Sequence, residues 1–317
     1  MTQYFMKRSV IYLLVLFGIT LISFSVIHLA PGSPLDYLID PNMPAETIEA
    51  KKIALGLNAP LPVQYIKWLG NILQGDLGYS VTKYGQPVAK MIGERIGPTL
   101  LLTGISLLIG ILISIPLGII SAVKQNSALD YATTSVALIS ISVPNFFLAM
   151  GLIYFFCLKM KWFPSNGMYS LSNDKNFWDL FRHMIIPVTV LAVNVAGSLV
   201  RYVRSAMIEV LSQDYLRTAY AKGLKEFWVV CKHGLRNALN PIVTIIGIQV
   251  SGLIGGSVVI EQIFSWPGLG LLTYEAIQGR DYATVMAINL ITGIIVLVVN
   301  FLTDLVYVLI DPRIKLN

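Results

Sequence analysis

The chain has 317 residues, of which 55% are apolar and 13% charged, with a formal charge of +6. That charge content is about half of what soluble domains carry, and the mean hydropathy is +0.70. Two soluble domains are excluded, because the apolar residues gather in runs long enough to cross a bilayer, which takes about 20 residues.

Six such runs follow one another: Ser9–Ala30, Thr99–Val123, Thr133–Leu158, Met184–Val203, Pro241–Ile260 and Ala283–Ile310. The first follows Lys7 and Arg8, as a signal peptide would. Its apolar stretch is too long for such a peptide and "HLAP" lacks a small-x-small cleavage pattern, so it reads as a retained span. The last is long enough to tilt or to extend past the bilayer. The predicted fold class is an all-α integral membrane protein with six transmembrane helices. Residues 1–317 form one membrane domain, since no repeat or low-complexity linker divides them.

After the first span comes the longest polar segment, residues 31–98. Pro44 and Gly56 bracket a short helix near Ala45–Leu55. Following "NAPLP", the apolar spacing of Val63, Ile66, Leu69 and Leu73 predicts a second, amphipathic helix that ends near Gly75. The segment reads either as a lid on the membrane surface or as a docking surface for something outside. Pro116 and Pro144 interrupt the second and third spans, where each removes a backbone hydrogen bond and can kink its helix. Pro144 and Asn145 are candidates for a substrate path. "SGLIGGSVV" on the fifth span supplies Gly252, Gly255 and Gly256, which permit either close helix packing or a path lining. Asn145, Asn194, Asn289 and Asn300 are the candidates for hydrogen bonds between helices.

Lys and Arg accumulate in short cytoplasmic loops. With both termini inside, the inner segments hold Lys7, Arg8, Lys124, the basic stretch from Arg204 to Arg236, Arg313 and Lys315, and the whole net charge of +6 falls on the inner face. The predicted topology is N-in, C-in. Cys157 and Cys231 then lie on opposite sides and cannot pair.

The stretch "DYLRTAYAKGLKEFWVVCKHGLRNALNP" decides the function. Each charge costs about 2.5 kcal/mol or more at a bilayer centre, so immersing Arg204, Glu209, Asp214, Arg217, Lys222, Lys225, Glu226, Lys232 and Arg236 would cost roughly 20 kcal/mol. The stretch belongs in water or against another protein. A helix over Leu211–Lys222, a break at Gly223 and a second helix over Leu224–Leu239, ending before Pro241, make a compact projection. Leu216, Tyr220, Leu224, Phe227 and Trp228 give it an apolar face suited to a partner's groove, rather than a purely basic loop drawn to anionic lipid.

Other chemistry is hard to find. The first five spans hold no charged residue in their centres, which speaks against a gradient-driven carrier. There is no H-E-x-x-H, no P-loop, and only His28, His183 and His233, so neither catalytic residues nor a metal site is predicted. Energy for transport has to come from another subunit.

"RTAYAKG" resembles the EAA loop of ABC importer permeases, with Arg217, Thr218, Ala219 and Gly223 at the E, A, A and G places. "HLAPGSP", "ERIGPTLLL", "SISVPNFFLAM", "LRNALNP" and "GGSVVIEQIFSWPGLGLLTYEAIQGRDY", in that order, resemble the B-type permease subunit of oligopeptide/dipeptide importers, over residues 1 to about 310. The resemblance implies a heterodimer with a homologous C-type permease, two ATP-binding subunits and an extracytoplasmic peptide-binding protein, in a bacterial plasma membrane. It implies that ATP and Mg are handled by the partner subunits, with no cofactor on this chain and no nucleic acid. Arg217, Thr218, Ala219, Gly223, Leu224 and Lys225 become the ATPase-coupling residues, and residues 31–98 the region beside the binding protein. Nickel or metal-chelate cargo is the alternative within the same architecture. A secondary transporter and a non-transporting scaffold are the readings from other classes.

Overall fold

The computed structural model describes residues 2–29, 43–54, 56–83, 85–170 and 176–310. Residues 30–42, Leu55, and the terminal Arg313 and Lys315 that entered the expectations above lie outside them. The described residues are helical, with one isolated bridge between Tyr79 and Pro87 in place of any sheet. A continuous apolar run satisfies all its backbone groups within its own segment in a bilayer only as a helix.

The helices are α1 (Thr2–Leu29), α2 (Ala45–Ala54), α3 (Leu61–Leu73), α4 (Val88–Val123), α5 (Ala128–Ser142), α6 (Asn145–Leu152), α7 (Phe177–Leu211), α8 (Asp214–Ala221), α9 (Glu226–Trp228), α10 (Arg236–Ile263), α11 (Leu269–Gln278) and α12 (Tyr282–Ile310). Wider π-helical turns follow α6 at Ile153–Lys159 and α9 at Val229–Leu235. Among the described residues five helical stretches are long and apolar enough to span, and a pair bent by 97°, Ala128–Ser142 with Asn145–Lys159, meets the same criterion when taken together, as a broken span or a re-entrant loop. The chain folds as two compact units: Met1–Pro98 with Pro267–Leu297, and Thr99–Trp266 with Val298–Asn317.

In the first unit α1 and α12 are joined by a hydrogen bond from Asn289 Nδ2 to Ser23 Oγ (3.2 Å), so Asn289 is a cross-helix donor as expected. Phe24, Tyr65 and Met286 form a small core with Trp68 and Leu69 of α3. The hydroxyls of Thr20 and Tyr65 meet at 2.9 Å, a polar pin inside that apolar contact. α2 and α3 fall where Pro44, Gly56 and "NAPLP" put them; Gly56 and Gly75 adopt φ of 71° and 82° at their ends, which glycine accepts freely. α4 begins at Val88, well before the expected Thr99. The reason is packing: Val88, Met91 and Ile92 are buried against Leu269, Leu272, Ala287 and Ile288. α11, which carries two of those residues, was not anticipated.

The second unit is built around α7. Of its most apolar window 72% is buried, against 28% for α4, so α7 is the core helix and α4 presents one side outward. Leu191, Val195 and Leu199 of α7 pack with Leu102, Ile260, Phe264 and Trp266. Further along, Val203 and Met207 pack with Ala122, Val230, Ala238 and Ile242. The close approaches fall at glycines the sequence reading did not single out. A Cβ on Gly110 would sit 2.5 Å from Val195 Cγ1, and one on Gly118 would sit 2.6 Å from Val203 Cβ. Only the missing methyl lets α4 lie this close to α7.

The two prolines behave differently. α4 runs through Pro116 without interruption, contrary to expectation. A proline costs the helix one backbone bond, which a neighbouring turn absorbs, and only local context decides whether a break follows. At Pro144 it does: Val143 is extended (φ −82°, ψ 121°), as residues before proline prefer, and α5 and α6 meet at 97°. Pro241 is also internal, so the expected helix end before it is wrong: α9, the π-turn and α10 run on from Glu226 to Ile263.

Candidate functional site

The projection stands on α7, whose last turn ends at Leu211. α8 follows after Ser212 and Gln213, stops at Lys222, and reverses through Gly223 at φ 77° into α9. No atom of the described residues lies within 4 Å of where a Gly223 Cβ would be, so its backbone angle, not space, calls for glycine there. Leu216 (0% exposed) packs with Val229, Val210 and Leu211, and Ala219 is buried with it.

This corrects two expectations. Leu216 and Ala219 turn inward and hold the loop to its base, because α8 has an apolar stripe at i and i+3 on its inner side. What faces outward is Arg217, Thr218 and the unbroken exposed run Tyr220–Trp228, which includes Gly223, Leu224 and Lys225. Phe227 and Trp228 are 70% and 57% exposed at its end. Arg217 reaches back only to Asp214, 3.4 Å away, and both stay open to water. Exposed aromatic side chains and an arginine are the residue types enriched where proteins meet.

Beside the base of the projection lies a buried ion pair the sequence reading did not anticipate. Arg204 of α7 grips Asp130 of α5 with both ends of its guanidinium, Nε to Oδ1 at 2.6 Å and Nη2 to Oδ2 at 2.8 Å. Ser121 of α4 donates to Oδ1 at 2.5 Å and the Asn126 backbone N–H to Oδ2 at 2.9 Å. The carboxylate therefore ties three helices together seven residues before α7 ends. Its place three residues after Ser127, the N-cap of α5, was the available signal in the sequence.

The path candidates lie on neighbouring helices, since α6 packs on α10. Pro144 caps α6 at the 97° bend, and Asn145 opens that helix with its buried Oδ1 lacking a partner among the described residues. On α10 Gly252 and Gly255 are exposed, with no described atom within 4 Å of an added Cβ, so they do not serve close packing within the chain. Gly256 follows on the same helix, though its surroundings lie outside what is described. Gln249, one turn before Gly252, has its Nε2 buried and without a partner among the described residues. Orphaned polar atoms and bare backbone on adjoining helices suit a surface that meets something else. At the far end of α10, Glu261 is fully buried and accepts from Thr99 (2.8 Å) and Ser257 (3.2 Å), where the sequence reading had an outer loop. Among the described residues no group of acidic, His and Cys side chains could hold a metal ion.

A multi-pass membrane protein is the class these observations define: apolar helices long enough to span and, in the second unit, a buried α7 that carries an exposed loop. Two family models match the chain, the binding-protein-dependent transport system inner membrane component over residues 114–316 and its N-terminal counterpart over residues 1–102. The chain belongs to that family and is a multi-pass protein of the bacterial inner membrane. It is 46% identical to a putative peptide permease protein of Brucella suis biovar 1, with 100% of each chain covered. It is 43% identical to the oligopeptide transport system permease protein AppB of Bacillus subtilis, over 99% of this chain and 100% of that one. Among solved structures, the inward-facing MetNI methionine ABC transporter matches with a TM-score of 0.60 and 20% identity, over 70% of this chain and 97% of that chain, a likeness of fold.

Proposed function

We propose that this chain is the permease subunit of an ATP-driven, binding-protein-dependent importer of oligopeptides or dipeptides. The observation that carries the reading is full-length similarity to two peptide permeases, at 46% and 43% identity, in a chain whose exposed loop has the form of a contact for another protein. The chain works as a single transmembrane domain and is not itself an enzyme. ATP and Mg belong to two partner ATPases, a homologous C-type permease completes the path, and an extracytoplasmic binding protein delivers the peptide.

The orientation is N-in, C-in, because the excess of positive charge then lies in the cytoplasm. Arg217, Thr218, Gly223, Leu224 and Lys225 enter a groove on an ATPase, with Ala219 packed beneath them. Closure of the ATPases on ATP pushes α8 and α9. The load passes through the Leu216 contact into α7 and through the Asp130–Arg204 pair into α4 and α5. Pro144, Asn145, Gly252, Gly255 and Gly256 line the route the peptide takes, where an uncharged lining tolerates many side chains. The described part of residues 31–98, with α2 and α3, meets the binding protein.

The test is uptake of a labelled dipeptide by proteoliposomes holding this chain, its partner permease and the ATPases. Uptake that needs both ATP and the binding protein is expected. Uptake without ATP would remove the coupling role of the loop, and ATP-driven uptake of a nickel chelate in place of peptide would replace the cargo.

A further inference from the structure

The first unit contains a cavity of about 390 Å³, a volume in the range of small-molecule sites. One wall is α3: Lys67, Trp68 and Asn71 stand along it at helical spacing. The facing wall is aromatic. Phe24 and His28 stack with ring centres 3.9 Å apart, and Tyr282 lies 5.1 Å from His28. Asp76, which accepts the Gly78 backbone N–H at 2.9 Å, lines the same cavity.

Trp68 Nε1–H is buried in this wall and has no acceptor among the described residues. A buried donor left without a partner is costly, so such groups are normally satisfied. Lys67 and Asn71 add two further kinds of donor beside it. The geometry points to a binding site for a short zwitterionic peptide. The peptide carboxylate accepts from Trp68 Nε1–H, Lys67 and Asn71, an apolar side chain lies against Phe24 and Tyr282, and the ammonium group faces Asp76. An anion alone would leave Asp76 as a repulsive neighbour, and an apolar ligand alone would leave the indole N–H unsatisfied. Peptide as the ligand rests on the importer reading above. The site shares no residue with the candidate path at Asn145 and Gly252, and it gives the permease a place to hold cargo.

The test is equilibrium binding of radiolabelled Ala-Phe to the complete importer in nanodiscs, with no binding protein and no ATP. Saturable binding is expected, competed about tenfold more weakly by Ala-Phe amide, which loses the charge-assisted hydrogen bonds of the carboxylate. Trp68→Phe removes the donor while keeping an aromatic side chain, and Lys67→Gln alters only an exposed side chain, so both are expected to weaken binding severalfold. The absence of saturable binding, equal competition by the amide, or unchanged binding in Trp68→Phe would overturn the proposal. If Trp68→Phe does not assemble, unchanged binding in Lys67→Gln overturns it. ATP-driven uptake in the presence of the binding protein is measured on the same preparation. Its loss would strike the importer reading, whereas its survival without Ala-Phe binding would strike only this site.

Discussion

Replacing Asp130 with Ala tests whether the ion pair beside the projection holds α4, α5 and α7 together. The carboxylate accepts two bonds from Arg204, one from Ser121 and one from the Asn126 backbone, and its side chain is 3% exposed. Hydrogen bonds to charged groups contribute about 1.5–3 kcal/mol each, but simple addition would overcount because the groups left behind recover some solvation. The relevant figure is the loss on breaking a buried pair by removing one partner, about 3–5 kcal/mol. Arg204 keeps 26% of its side chain exposed and can turn toward water, which places the expected loss near the low end, about 3 kcal/mol. At about 2–4 °C per kcal/mol for domains of 150–250 residues, the purified complex should melt roughly 6–12 °C lower. The assay is thermal unfolding of the detergent-solubilised assembly for wild type, Asp130→Ala, Arg204→Ala and the double variant. Because one partner is left uncompensated in each single variant, the double variant should lose less than the sum of the singles. Additive losses, or an unchanged melting temperature in Asp130→Ala, would refute the claim that this pair binds the helices together.

Further outcomes follow from the same geometry. Gly223 is required for φ 77° and not for space, so Gly223→Asn should keep most binding-protein-stimulated ATPase activity, whereas Gly223→Val should lose most of it through a backbone cost of about 1–2 kcal/mol. Gly118→Ala forces a methyl to within 2.6 Å of Val203 Cβ and should cost about 1–3 kcal/mol by overpacking; adding Val203→Ala should restore part of the melting temperature. Gly252→Ala meets no described atom and should leave stability unchanged, while a bulky Gly252→Trp should reduce peptide uptake without lowering the melting temperature. A single cysteine at Thr218, in a variant without Cys157 and Cys231, should react with an impermeant maleimide from the cytoplasmic side only; labelling from outside would reverse the topology.

Much of the architecture was legible before any coordinates. Spans are dictated by a one-dimensional quantity, the length of chain that carries no charge, and α1 and α12 fall within a residue or so of their expected outer ends. α2 and α3 were equally readable, because Pro44, Gly56 and the "NAPLP" turn act on their own backbone. The left-handed turn at Gly223 was legible for the same reason. Where a helix stops proved less readable when the stop depends on neighbours. α4 starts early since Val88 finds a buried seat, and α10 continues through Pro241 to Ile263.

The pattern of the Asp214–Pro241 stretch gave its apolar residues but not their direction. Leu216 and Ala219 share a type with Leu224 and Phe227, yet the first two are buried and the others exposed. Direction depends on what α7 and the π-turn place behind the loop. The same holds for glycine. "SGLIGGSVV" drew notice as a cluster, while the contacts that need a missing methyl are at the isolated Gly110, Gly118, Gly197, Gly247 and Gly279. Composition and backbone preference are properties of the chain, and from them came the membrane class, the spans, the turns and the charged loop. Burial, the partner of Asp130, the orphaned Trp68 N–H and the open face at Gly252 are relations between residues far apart in the chain, and they exist only once packing has brought the helices together.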